Sequence, residues 1–194
     1  STMNFLNRLA ILKRSHINLK VVAITGSSGK TTLKTLLGRI LSEYGKTYFS
    51  QKSYNNHIGV PLSLCNLEND HRYGVFEIGM SDAGEIRKLS NLVKPNIAII
   101  TNIGEAHLEN FNDLNGIANA KSEIIENISK GGHLILNRDD KYFDYLSKIA
   151  RKRKIHVLSF GKSKKSNATL VTNKLYKDYN NLHFRVLNEN IYLK

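Results

Sequence analysis

Apolar positions along the chain follow two alternating patterns: short β-branched runs, and longer stretches with apolar residues three or four apart. The first pattern predicts parallel strands at 21–24, 47–49, 73–78, 97–101, 133–136 and 155–160. The run at 97–101 (IAIIT) is almost continuously apolar, as in a strand buried on both faces. The second pattern predicts helices at 3–14, from Lys30 to about Tyr44, after Asn56 with Pro61 in the first turn, and at 83–93, 113–128 and 141–154. Phe5, Leu6, Leu9 and Leu12 share helical spacing and predict a lead-in helix docked on the body. Ser81 or Asp82, then Asp113, then Asp139 or Asp140 are the expected helix caps. Beyond Asn167 the pattern changes to strands at 168–175, 182–187 and 191–193 around a turn at 177–181, an antiparallel meander appended to the body. The expected fold is α/β, a mostly parallel sheet flanked by helices on both faces, with a small antiparallel β meander at the C-terminal end.

Length and composition narrow this picture. A chain of 194 residues fits one large domain, and 41% hydrophobic with 23% charged residues is ordinary for a globular protein. No apolar run is long enough for a bilayer and no signal-peptide pattern is present, so a cytoplasmic location and no membrane span are expected. The single cysteine, Cys65, lies in the apolar stretch LSLCNL and reads as a buried structural thiol. The net charge of +13 raises nucleic acid as a partner, but only Arg151–Lys154 and Lys162–Lys165 are dense basic runs, without interleaved aromatics. A solvated basic face that also favours polyanionic substrates is the preferred reading, with no specific nucleic acid.

The chemistry concentrates at VVAITGSSGKTTLKTL, residues 21–36. A strand, a turn of Gly26, Ser27, Ser28 and Gly29, and a helix opening on Lys30, Thr31 and Thr32 form a phosphate-binding P-loop. Small residues let successive backbone N–H groups curl around an anion, Lys30 can reach the β- and γ-phosphates, and the Thr31 hydroxyl can ligate Mg²⁺. Ile24 stands where the common GxxxxGK[ST] pattern has its first glycine. Glu77 ends a strand, where an acidic residue can hold Mg²⁺ or simply face solvent. Asn55 and Asn56 read as turn formers or ligand contacts. His107 sits in the loop after 97–101, on the side where open α/β sheets bind ligands. Lys121 has Ile117 and Ile125 as its neighbours four residues away, so no carboxylate pairs with it along the helix.

These residues together resemble the central ATP-binding domain of the Mur ligases, most nearly the MurF type. The resemblance spans roughly residues 9–193 and rests on TGSSGKTT, YNNHIGVP, FEIGM, ITNIGEAHLE, IANAKSEI and LNRDD, in that order. It implies a lead-in at 1–18 and an ATP-binding domain at 19–194, with the N-terminal UDP-sugar domain and the C-terminal domain of such ligases lying elsewhere. It also implies two Mg²⁺ sites, the first at Thr31 and Glu77 and the second at His107. Lys121 matches the family lysine that carries a CO₂-derived carbamate, an anionic oxygen donor for Mg²⁺. Asn137 and Asp140 would lie by the adenine, and Asn55 and Asn56 would face the substrate carboxylate and the transferred phosphate. Lys30, Lys121, His107 and Asn56 would serve catalysis. The implied reaction joins D-alanyl-D-alanine to UDP-N-acetylmuramoyl-tripeptide through an acyl phosphate, in a monomer. Another ligase of the superfamily, such as a folylpolyglutamate synthase, and a non-catalytic P-loop module are the alternatives.

Overall fold

The computed structural model describes residues 2–105, 110–111 and 113–193. α1 (Thr2–His16) leads into β1 (Lys20–Thr25), the glycine-rich loop and α2 (Lys30–Ser42). There follow β2 (Thr47–Phe49), α3 (Gly59–Cys65), β3 (Tyr73–Glu77), α4 (Glu85–Val93), β4 (Ile97–Ile100) and α5 (Leu114–Ser122). A 3₁₀ turn at Glu123–Asn127, β5 (His133–Asn137), α6 (Phe143–Lys152) and β6 (His156–Gly161) continue the alternation, before β7 (Ala168–Leu175), β8 (Asn180–Val186) and β9 (Glu189–Leu193). All strands join one nine-stranded sheet in the order β2-β3-β1-β4-β5-β6-β7-β8-β9. Pairing is parallel from β2 through β7 and antiparallel for β7–β8 and β8–β9. The expected mostly parallel α/β fold is therefore observed. The meander extends the same sheet rather than standing apart, because Phe160 and Gly161 of β6 pair in parallel with Ala168 and Thr169.

Alternation along the strands sorts side chains to two faces of unequal cover. Val21, Ala23, Phe76, Ile78, Ala98, Ile100, Leu134 and Leu136 pack with Ile86, Leu89, Ile117, Ile124, Ile125 and Leu146 in the main core. On the other face Val22, Ile24, Val75 and Ile99 form a smaller cluster under Leu33, Leu37 and Leu41 of α2. Each fully buried Leu or Ile contributes on the order of 1.5–3 kcal/mol, so both helical layers are anchored mainly by these rows. Ile24, fully buried and bonded through its carbonyl to Ile78 N, belongs to the strand core; the turn begins after it.

Several local expectations change. α1 packs on α3 and α4 through a face that buries Ala10, while Phe5 (69% exposed), Leu9 and Leu12 point outward. Arg14 ties the end of α1 to that of α4 by donating from Nε to Val93 O (2.8 Å) and from Nη2 to Lys94 O (3.2 Å). α4 opens at Glu85 behind a left-handed Gly84 (φ 86°) without a side-chain cap from Ser81 or Asp82. Its free N–H groups go instead to Glu123, which accepts from Gly84 N (2.7 Å) and Arg87 N (3.0 Å). The predicted helix at 113–128 is α5 followed by the 3₁₀ turn, and Asp113 caps it as expected by accepting from Gly116 N (2.8 Å). α6 begins at Phe143, not at 141. Cys65 is half-buried at the end of α3, not fully enclosed. No described helix is long and apolar enough to cross a membrane.

Candidate active site

In the sheet order β1 lies between β3 and β4, so its two neighbours are reached by connections that leave in opposite directions. Such a switch point opens a crevice at the C-terminal strand ends. The glycine-rich loop after β1, Glu77 at the end of β3, and Thr101–Gly104 after β4 all meet there.

The loop is held from the β4 side. Asn102 Oδ1 accepts from Ser27 N (3.1 Å) and Ser28 N (3.0 Å), and its Nδ2 donates to Ser28 Oγ (2.7 Å). Thr101 Oγ1 donates to Ser28 O (2.6 Å), and Ser27 Oγ bridges to Gly104. A Cβ at Gly26 would lie 1.8 Å from Thr101 Oγ1, at a φ of +146°, so only glycine lets the two segments touch. Gly29 (φ 78°) turns the chain into α2. Lys30 Nζ donates to Gly26 O (2.8 Å), folding its ammonium back over the loop.

Beside it, Thr31 Oγ1 donates to Glu77 Oε2 at 2.8 Å and lies 3.2 Å from Ser53 Oγ. Asn55 Nδ2 donates to Glu77 Oε1 (2.8 Å), and Lys34 Nζ stands 4.0 Å from Glu77 Oε2, both side chains almost wholly buried. Glu77, Thr31 and Ser53 are hard oxygen donors of the kind Mg²⁺ prefers, with phosphate oxygens and water to complete the shell. Among the described residues Glu77 is the one carboxylate in this cluster, and no group of three or more His, Cys, Asp or Glu that could hold a metal ion is found.

A cavity of about 330 Å³ adjoins this cluster and is lined by Gly26, Lys30, Asn55, Asn56, Ser81 and Lys121, among others. Lys121, only 2% exposed, has its pKa lowered to about 7, first by burial and then by repulsion from Lys30. Lys30 is itself lowered by burial, with Glu77 pulling the other way. Asn56 turns its Oδ1 to Ile58 N (3.1 Å) and Gly59 N (2.9 Å) at the start of α3, so the turn-forming reading of this residue holds in part.

Gly26, Lys30, Asn55, Asn56 and Lys121 thus share one cavity, with Thr31 and Glu77 alongside. Thr32 is exposed on the first turn of α2. Asn137 lies in a separate cleft of about 320 Å³ with Asp139, Phe160, Leu170 and Phe184. Both Asp140 oxygens serve the backbone, accepting from Ile103 N (2.7 Å) and Tyr142 N (2.9 Å), and Asp139 accepts from Lys162 N (2.5 Å) and Ser163 N (3.1 Å). His107 lies outside the described residues. Lys34 and Ser53 carry no motif of their own in the sequence, whereas Asn102 stands in the loop after 97–101 that reads as a ligand-binding end. For Lys34 the signal was there, since a lysine one turn after Lys30 and three residues after Thr31 shares their helix face.

A family profile described as the Mur ligase middle domain matches residues 24–193. A relative from Rickettsia prowazekii named UDP-N-acetylmuramoyl-tripeptide–D-alanyl-D-alanine ligase is 37% identical over 185 residues, 95% of this chain and 41% of the relative. The crystal structure of MurF from Acinetobacter baumannii superposes with a TM-score of 0.91 at 34% identity, covering 100% of this chain and 42% of that one. MurF from Thermotoga maritima in complex with ADP gives a TM-score of 0.89 at 28% identity, covering 100% and 44%. The chain spans less than half the length of these relatives. With the profile covering it from the end of β1 to β9, the chain belongs to the Mur ligase middle-domain family.

Proposed function

We propose that this chain is the ATP-binding centre of a cytoplasmic ligase that joins D-alanyl-D-alanine to UDP-N-acetylmuramoyl-tripeptide, with residues 1–18 leading into a domain at 19–194. The observation that carries the reading is the 2.8 Å contact of Thr31 with Glu77 beside a cavity that also holds Lys30 and Lys121. Loop N–H groups, the α2 N-terminus and Lys30 take the ATP phosphates. Thr31 and Glu77 would hold one Mg²⁺, and His107 together with a modified Lys121 would serve a second. Mg²⁺ held by these residues would supply positive charge against the phosphates during phosphoryl transfer.

Lys121 fits this role only after modification, because an ammonium has no lone pair for a metal. Burial leaves a large fraction of its amine unprotonated near neutrality, and that amine can attack CO₂. A C–N bond forms, one proton is released, and the product carries an anionic oxygen pair. Asn55 and Asn56 face the muramyl-peptide carboxylate, whose oxygen attacks the γ-phosphorus to give an acyl phosphate and ADP. The amine of D-alanyl-D-alanine then attacks that carbonyl, and phosphate leaves. Asn137 contacts the adenine; Asp140, with both oxygens on backbone N–H groups, shapes that side indirectly.

The test uses a protein of the relatives' full length that contains this chain. ATP, Mg²⁺ and the UDP-linked tripeptide should release phosphate only when D-alanyl-D-alanine is supplied. Lys30→Met and Glu77→Gln should each lower kcat by at least about 10²-fold, as expected for groups that stabilise transferring phosphate. Turnover with glutamate or a diamino acid in place of D-alanyl-D-alanine would move the chain to another branch of the superfamily.

A further inference from the structure

Lys34 is fully buried, yet none of the steps above uses it. Its Nζ donates to Lys52 O (2.8 Å) and Ser50 Oγ (3.2 Å) and stands 4.0 Å from Glu77 Oε2. Thr31 and Asn55 donate to the same carboxylate, so Glu77 is enclosed by donors and faces a fixed ammonium. The turn that Lys34 grips leads directly to Ser53 and Asn55, the residues that reach Thr31 and Glu77.

We propose that Lys34 is a positioning residue that keeps the Glu77 cation site weak until a nucleotide is present. The inference rests on the reading of Thr31 and Glu77 as cation ligands. A divalent ion at Glu77 meets like-charge repulsion from Lys34 in a poorly screened interior. Nucleotide phosphates bring the negative charge that offsets this repulsion, so cation and nucleotide load together. An ion on the nucleotide-free chain gains little.

The experiment measures Mn²⁺ binding to the chain by electron paramagnetic resonance, with and without ADP. Lys34→Gln and Lys34→Met remove the charge, and Lys34→Arg retains it. Without ADP the neutral variants should bind Mn²⁺ at least about tenfold more tightly than the parent, and the arginine variant should match the parent. Addition of ADP should then raise Mn²⁺ affinity more in the parent than in the neutral variants. Unchanged or weaker Mn²⁺ binding in the neutral variants overturns the proposal, as does an arginine variant that behaves like the glutamine one. Should a neutral variant unfold, Mn²⁺ must restore its thermal transition; failure to do so at 100-fold excess over protein also overturns it. Glu77→Gln separates the two levels of the argument. If it leaves Mn²⁺ binding to the ADP-loaded chain intact, the ligand assignment itself has failed. If it abolishes that binding while the neutral variants gain nothing, only the role of Lys34 is lost.

Discussion

Lys121 carries a cost in its buried ammonium. An unfolded lysine holds its proton up to about pH 10.5, whereas the folded chain releases it near 7. Between these values the unfolded state binds more protons, so this group makes stability rise with pH through the window, and below about 7 its full penalty is present. A gap of that size corresponds to at most about 5 kcal/mol. Lys121→Met should therefore be more stable than the parent at pH 6.5 in CO₂-free buffer, by about 2–4 kcal/mol, and should lack the rise between pH 7 and 10. Urea unfolding across a pH series measures this, and a methionine variant no more stable than the parent would remove the burial penalty from the account. The sequence exposed only half of this situation. Ile117 and Ile125 marked an apolar setting for Lys121, but the nearby Lys30 that adds to the shift comes from a distant helix.

Among the elements, α4 is notable because another segment caps it. Glu123, 6% exposed, accepts from Gly84 N and Arg87 N and approaches Arg87 Nη2 at 3.7 Å. Its neighbour Glu126 pairs with Arg87 at 2.8 Å in a more exposed setting. A buried acceptor serving two N–H groups outweighs an exposed ion pair. Glu123→Ala should cost about 2–3 kcal/mol, and Glu126→Ala about 0–1 kcal/mol. Amide exchange at Gly84 and Arg87 should quicken only in the first variant. Equal losses in both would mean that the ion pair, not the cap, fixes α4. Because α4 begins next to Ser81 and Glu85 on the cavity wall, the same variant should also loosen that wall. Local propensity suggested Ser81 or Asp82 as the cap. The chain chose Glu123 because the junction of α5 with the 3₁₀ turn packs against the start of α4.

The candidate site lies at the C-terminal ends of the central strands β1, β3 and β4, and the chain's relatives are more than twice as long. Ligation needs the carboxylate and the amine held together, an alignment worth up to about 7–11 kcal/mol of barrier. The 194-residue chain by itself is therefore expected to bind ADP and Mg²⁺ weakly and to release no phosphate from ATP with both substrates present. A coupled phosphate assay decides this, and sustained turnover at the rate of a complete ligase would show that the chain needs nothing further. What the sequence alone determined was local: the alternation of strands and helices, the glycine turn before Lys30, and the acid that ends β3. These follow from the periods of burial along a strand or helix and from backbone conformations that only small residues reach. Tertiary structure decided the partnerships. Thr31 meets Glu77 across 46 residues, Ser27 meets Asn102 across 75, and Lys34 meets Glu77 from one turn further along α2. They converge because β1 is inserted between β3 and β4, an order set by how the strands bury one another and invisible in the period of any single element.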